Sequence, residues 1–248
     1  MSDLNGKIAI VTGSSSGIGR AVAEGLARKG TAVAVHYLKD AEKARAVVAG
    51  IEKEGGKAIA LQADIGKVAD VRRLFAEATE RLGGLDILVN CAGVGQYKPV
   101  VAVTEEDFAA IFDVNARGTF FALQEAARRI RDGGRIISIS SGGTLDRAPS
   151  TSIYCGSKAA VEQFTKALAQ EMGPKNVTVN AVSPGFTDTD MFGRLIAQHP
   201  EYKAIAAKRS PLGRIGTPQD VADVVIFLAS EEGRWVTGQN IQAGGGGV

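Results

Sequence analysis

Only two cysteines, two histidines and one tryptophan occur among the 248 residues. Cys91 and Cys155 suggest no disulfide framework of the kind that staples small secreted folds. His36 and His199 belong to no Cys, His or acid cluster with metal-ligand spacing, so a zinc dehydrogenase is not expected and no metal site is assigned. No apolar run approaches the ~18 residues a membrane span needs. Residues Met1 to Lys7 lack an apolar signal region, so a cytoplasmic protein without a membrane partner is expected. Net charge is only +2, without the basic stripe usual in nucleic-acid binders. The densest basic patch is Arg128-Arg129-Ile130-Arg131, followed by Arg135. It reads either as a helix end whose cations complement the dipole or as a docking face for an acidic partner. No Pro/Ser linker, low-complexity tract or repeat divides the chain. With 45% hydrophobic and 23% charged residues, one globular domain over 1–248 is expected.

What is present is a regular alternation of short apolar runs and longer amphipathic stretches. Strands are expected at Lys7–Val11, Ala32–His36, Ala58–Ala63, Leu85–Val89, Arg135–Ile139, Val177–Val182 and Gln239–Gln242. Helices are expected at Ala21–Lys29, Glu42–Lys53, Val68–Leu82, Glu105–Ile130 (in one piece or two), Tyr154–Met172 and Pro218–Ala229. Alternating strands and helices predict an α/β protein, a parallel sheet with helices on both faces. Ile8–Val11 and Ile87–Val89 are continuously apolar, as strands buried on both faces should be. Ligands of such sheets bind beyond the carboxyl ends of the strands. The stretch 188–217 breaks the rhythm and is expected to be an insertion that forms a substrate lid with short helices.

The residues that stand out all follow strand ends. The first strand runs into Thr12-Gly13-Ser14-Ser15-Ser16-Gly17-Ile18-Gly19. Gly13, Gly17 and Gly19 let backbone approach a phosphate at a helix N-terminus, where free N–H groups and the dipole favour it. At the end of the second strand NAD usually meets an acid and NADP a basic group. Tyr37, where an acid would stand, is uncharged, and Lys39 is close by with Asp40 beside it. NADP(H) is therefore expected, with NAD(H) the alternative. Asp64-Ile65 ends the third strand, and the Asp64 carboxylate reads either as an acceptor for the adenine amino group or as a helix N-cap. Asn90-Cys91-Ala92-Gly93 ends the fourth, with small residues that let backbone lie against a cofactor ribose. Asn115 interrupts a helical stretch, an unfavourable place for Asn that predicts a local break with a purpose.

Tyr154 and Lys158 are four apart and share a helix face. A phenol titrating near 10 works as a general acid or base at neutral pH only with help, and a neighbouring cation favours the phenolate. Ser141, shortly upstream, stands where it could hold a substrate oxygen.

Taken together, Thr12-Gly13-x3-Gly17-x-Gly19, Asp64, Asn90-x-Ala92-Gly93, Asn115, Ser141, Tyr154-x3-Lys158 and Pro184-Gly185 resemble the short-chain dehydrogenase/reductase family nearly end to end. The chain is similar to its 3-oxoacyl-acyl-carrier-protein reductase-like members. The resemblance implies a Rossmann-type, doubly wound sheet of about seven strands and a homotetramer, with a homodimer as the alternative. It implies that Tyr154 is the proton donor or acceptor. Lys158 would lower its pKa and bind the nicotinamide ribose, Ser141 would orient the carbonyl, and Asn115 would hold a relay water. Thr187 and Thr189 match positions that contact the nicotinamide carboxamide. The sequence departs from the family where Cys91 replaces a second Asn, where Ser16 and Leu38 replace basic residues of NADP enzymes, and in Ala243-Gly244-Gly245-Gly246-Gly247, which lacks an Asp. The last departure predicts a looser tail.

The expected activity is hydride and proton exchange between a nicotinamide cofactor and a carbonyl or secondary alcohol. The substrate cleft is expected to use Gln96, Phe186, Met191 and Phe192 with Ser141, and Tyr97 and Thr144 beside them. Asp146 and Arg147 are either a surface pair or a contact to a polar substrate group. Two alternatives stand: a reductase of carrier-bound acyl chains, docked through Arg128, Arg129, Arg131 and Lys175, and a non-catalytic nucleotide-sensing module.

Overall fold

The computed structural model describes residues 4–146 and 148–247, so Arg147 lies outside the described residues. Seven parallel strands form one sheet in the order β3-β2-β1-β4-β5-β6-β7. They are β1 (Ile8–Thr12), β2 (Ala32–Tyr37), β3 (Ala58–Gln62), β4 (Ile87–Asn90), β5 (Arg135–Ile139), β6 (Thr178–Pro184) and β7 (Asn240–Ala243). Between them run α1 (Gly17–Arg28), α2 (Ala41–Lys53), α3 (Val68–Leu82), α4 (Glu105–Phe112), α5 (Thr119–Arg129), α6 (Ser152–Met172), α7 (Asp190–Gln198), α8 (Glu201–Arg209) and α9 (Pro218–Ala229). Every expected strand and helix is present, with ends displaced by a few residues. Among the described residues no helix is long and apolar enough to cross a membrane.

The alternation of side chains along the strands builds two cores. Ala9 and Val11 of β1 face Val22, Leu26, Val221 and Val225 on one side of the sheet. Ile8 and Ile10 face Leu74, Phe75, Ala122 and Met172 on the other. Strands covered on both faces must be apolar at successive positions, which is the continuous run seen in the sequence.

Strand order reverses between β1 and β4, and the crevice beyond that switch is the expected ligand position. Three local structures shape it. The turn after β1 requires glycine: Gly13 has φ +66°, and a Cβ there would come within 2.8 Å of Ala92 Cα. The break at Asn115 is a π-helical turn, Asp113–Gly118, which joins α4 to α5. Such turns are rare inside helices and cluster at functional sites. The stretch after β6 forms α7 and α8 and returns at Gly216, which pairs with Thr187. The C-terminal glycines are not loose. They fold back on the end of α8, where the Ser210 hydroxyl donates to the Gly245 carbonyl at 2.8 Å.

Candidate active site

A cleft of about 430 Å³ runs across the carboxyl ends of the strands. At one end lie Gly13, Ser15, Ser16, Gly17, Ile18 and Gly19. Ser16 occupies the N-cap of α1 without a side-chain bond to the first turn, and that turn holds no acid. Its N–H donors therefore remain for an anion, and the dipole favours one. A Cβ on Gly17 would come within 3.4 Å of the Thr189 methyl across the cleft, so the missing side chain keeps this passage open. These are the features a dinucleotide pyrophosphate needs, and the residues fit that group.

Next along the cleft are Tyr37 and Leu38 at the end of β2, then Asp64 and Ile65 after β3. Asp40 is turned away to cap α2, its carboxylate accepting from Lys43 N at 2.9 Å. The end of β2 thus presents no acid to a ribose among the described residues, which suits a 2′-phosphate. Lys39 is exposed and outside the cleft lining, contrary to expectation, because the chain has already turned toward α2. Asp64 is not the N-cap of α3, which is Lys67; its carboxylate accepts from Gly66 N at 3.0 Å and shapes the turn.

His36 carried no functional reading in the sequence. It lines the cleft and is buried, accepting from Gly13 N at Nδ1 (2.8 Å), with Nε2 3.0 Å from the Ala63 carbonyl. The Gly13 bond assigns the proton to Nε2, so the ring bridges the glycine turn to the end of β3 as a neutral imidazole. Burial pulls its pKa down to about 4. A histidine after a run of valines reads as core, and only the tertiary contacts reveal its role.

At the floor, Thr12 Oγ1 accepts from Cys91 N (3.0 Å) and Ala92 N (3.1 Å), fixing the chain after β4. Cys91, Ala92 and Gly93 line the cleft. Asn90 does not: it is buried and donates to Ser138 Oγ at 3.3 Å, tying β4 to β5. Asn115 is fully buried beneath this loop. Its Nδ2 donates to the Val94 carbonyl (2.9 Å) and to Ser157 Oγ (3.0 Å), while its Oδ1 accepts from Val94 N (2.8 Å).

Ser141, Tyr154 and Lys158 meet at the centre. The Ser141 hydroxyl lies beside the Tyr154 hydroxyl, close enough to favour its ionised form. Lys158 Nζ, almost fully buried, donates to the Ile139 carbonyl at 2.8 Å. Burial lowers the Lys158 pKa to about 8, partly offset by Cys91. Burial also raises the Tyr154 pKa, reinforced by Tyr97, and the neighbouring Ser141 hydroxyl opposes the rise. The expected lowering of the Tyr154 pKa by Lys158 is absent from this arrangement, in which the ammonium is bound to Ile139 and burial dominates.

The other end of the cleft is apolar and aromatic. Tyr97 packs against Tyr154 with ring centroids 5.8 Å apart, and Phe186 against Phe192 at 5.6 Å. Met191 of α7 reaches over to the loop at Gly95, where a Cβ would lie 3.1 Å from its Sδ. Pro184, Gly185, Thr187 and Thr189 form the adjoining wall. Gln96 is not in this wall. Its amide donates to Asp107 Oδ1 at 2.6 Å, alongside Lys98 at 2.5 Å on Oδ2, so Asp107 clamps both neighbours of Tyr97. Asp146 lines the cleft and pairs with Arg209 of α8 at 2.9 Å. Lys43 pairs with Asp190 at the start of α7 at 3.3 Å.

The glycine turn, the Ser/Tyr/Lys meeting point and the reversed strand order define a nucleotide-dependent oxidoreductase of the Rossmann type. The chain belongs to the short-chain dehydrogenase/reductase family. The family match covers residues 13–247 and carries the description enoyl-(acyl carrier protein) reductase. A short-chain dehydrogenase/reductase of Pestalotiopsis microspora is 46% identical over 98% of this chain and 96% of its own length. An uncharacterized oxidoreductase of Methylorubrum extorquens is 44% identical over 99% of both. Among solved structures, an angucycline C-6 ketoreductase with bound NADP superposes with a TM-score of 0.93 at 44% identity, covering 99% of this chain and 97% of that one. A short-chain dehydrogenase from Burkholderia cenocepacia in complex with NADP gives 0.92 at 42% identity, covering 98% of both.

Proposed function

We propose that the protein is an NADPH-dependent ketoreductase in which Tyr154 protonates the carbonyl oxygen of an apolar, aromatic ketone. The observation that carries this reading is the meeting of Ser141, Tyr154 and Lys158 in a cleft that starts at the open N-terminus of α1. Bound NADPH supplies the hydride. Tyr154 stays protonated through neutral pH because burial raises its pKa, so the proton it donates is in place before the hydride moves. Ser141 orients the substrate oxygen, and Lys158 binds the nicotinamide ribose. Asn115 holds the loop after β4 in place. The roles of Thr187 and Thr189 are contacts to the nicotinamide end, and 188–217 is the substrate lid of a single domain. Phosphate preference follows from the acid-free end of β2 and from the NADP-bound relatives, a ketoreductase and a short-chain dehydrogenase. An aromatic substrate is supported by Tyr97, Phe186 and Phe192, and by a related ketoreductase crystallised with NADP and rabelomycin.

The carrier-docking alternative is weaker. Arg128 and Arg129 both bind the buried Glu125, and Arg131 binds Asp86. These guanidinium groups reach the surface but are each paired with a buried acid, and they sit where α5 leads into β5, at the end of the sheet opposite the cleft. A cytoplasmic location agrees with two free thiols. A homotetramer agrees with two separate apolar surfaces, one with exposed Phe108 and Phe120 near α4 and α5, the other with Phe227 and Trp235 near the β7 edge. A closed dihedral assembly needs two such interfaces.

The test is turnover of NADPH and NADH with a panel of aryl ketones, β-ketoesters and acyl-thioesters. Oxidation of NADPH with aryl ketones supports the reading. Cofactor binding without turnover of any substrate would leave the sensing module.

A further inference from the structure

Tyr154, Lys158 and Glu162 follow one another at four-residue intervals on α6 and so share a helix face. The first two carry the proposed chemistry; Glu162 has no part in it. Yet Glu162 Oε1 accepts two short hydrogen bonds, from Ser140 Oγ at 2.7 Å and from Thr144 Oγ1 at 2.7 Å. Both donors belong to the turn that follows β5, and Ser141 lies between them. Thr144 Oγ1 is also 2.9 Å from the Ser141 carbonyl, and Ser140 Oγ 3.3 Å from the Lys158 carbonyl. Each hydroxyl has one proton, and the shorter bond to a carboxylate is the stronger claim on it. One turn earlier on the same face, Lys158 Nζ holds the Ile139 carbonyl. Residues 139, 140 and 144 are thus stitched to α6 at 158 and 162, on both flanks of Ser141.

We propose that Glu162 is a positioning residue that sets the Ser141 hydroxyl against Tyr154 by anchoring the Ser140–Thr144 turn to α6. This inference rests on the reading of Tyr154 as the proton donor. Among the described residues the Ser141 side chain makes no hydrogen bond that anchors it to α6. Its Oγ accepts from Gly143 N at 3.1 Å, a contact within the same turn, so the turn's position decides where the hydroxyl points. Both donors converge on a single oxygen. A glutamine at 162 could place its amide oxygen there, whereas a leucine fills the space and accepts nothing.

The experiment compares wild type, Tyr154→Phe, Glu162→Gln, Glu162→Leu and the double variant Ser140→Ala/Thr144→Val. For each, kcat and KM with an aryl ketone and the Kd for NADPH are measured. Misplacement by about 1 Å can cost on the order of 100-fold. Glu162→Leu and the double variant are therefore expected to lose kcat by about tenfold or more, with Kd for NADPH within about twofold. Glu162→Gln is expected to stay within about threefold of wild type in kcat. A merely structural role would not separate kcat from cofactor affinity, nor be rescued by the amide. The proposal is overturned if Glu162→Leu keeps wild-type kcat, if Glu162→Gln is equally impaired, or if Kd for NADPH rises in step with the loss. Should Glu162→Leu not fold, the double variant decides in the same terms. Full activity in Tyr154→Phe would instead overturn the parent reading, a result that no Glu162 variant can mimic.

Discussion

Asn115 and Val94 hold each other through two reciprocal hydrogen bonds, one from Val94 N to Oδ1 at 2.8 Å and one from Nδ2 to the Val94 carbonyl at 2.9 Å. The π-turn at 113–118 delivers the amide, and the loop after β4 supplies both backbone groups. A buried side chain that satisfies a backbone N–H and C=O of the same residue acts as a strut between the helix and the cleft floor. Asn115→Ala leaves these groups and Ser157 without their partner, at about 1–3 kcal/mol each where water cannot enter. We expect a loss of about 3 kcal/mol in urea unfolding and a fall in NADPH affinity. Unchanged stability would show that the strut is dispensable.

His36 gives the fold a pH dependence in the acid range. Its folded pKa of about 4 lies below its unfolded value of 6.5, so between these pH values the unfolded chain binds more protons. Stability is therefore full above about pH 6.5 and falls as pH drops toward 4, by roughly 3 kcal/mol from this group. His36→Gln should flatten that part of the stability profile. Denaturation midpoints across the window decide the matter, and an equally steep decline in the variant would assign it elsewhere.

Lys158 sets an alkaline limit. Burial holds its pKa at about 8, so the ammonium is lost as pH rises through that value. Tyr154, raised by its own burial, remains protonated there. The pH profile of kcat/KM for NADPH, which reports the free enzyme, should fall with an apparent pKa near 8. Lys158→Arg keeps its charge at all accessible pH and should lose that limb at reduced activity. An unmoved limb in the variant would mean that another group titrates.

The proposed lid is tied to the body, among the described residues, by the solvent-accessible ion pairs Lys43–Asp190 and Arg209–Asp146. Exposed pairs contribute little, about 1 kcal/mol at most, and salt weakens them. Asp146→Asn and Asp190→Asn should each raise substrate KM by about fivefold or less, with the difference from wild type shrinking at high salt. A salt-independent effect would place these residues on substrate instead.

Strand order aside, much of this was legible in the chain. Continuous valine and isoleucine runs could only be strands covered on both faces. Gly13, Gly17 and Gly19 marked the anion end, and the spacing of Tyr154 and Lys158 survived as one face of α6. What stayed hidden depends on where side chains turn. Gln96 and Tyr97 are neighbours, and nothing local says that Asp107 claims the glutamine while the tyrosine enters the cleft. His36 sits in an apolar strand and meets its partners through contacts 23 and 27 residues away. Lys39 looked well placed until the turn into α2 carried it outward. Asn115 announced a break, but its π-turn geometry needed the coordinates.

The most direct test of the central claim measures NADPH oxidation with an aryl ketone, side by side with NADPH binding, for wild type and Tyr154→Phe. The account predicts steady turnover by wild type, and in the variant a loss of about a hundredfold or more in kcat at unchanged NADPH affinity, the scale of a missing general acid. Undiminished turnover in Tyr154→Phe would contradict it.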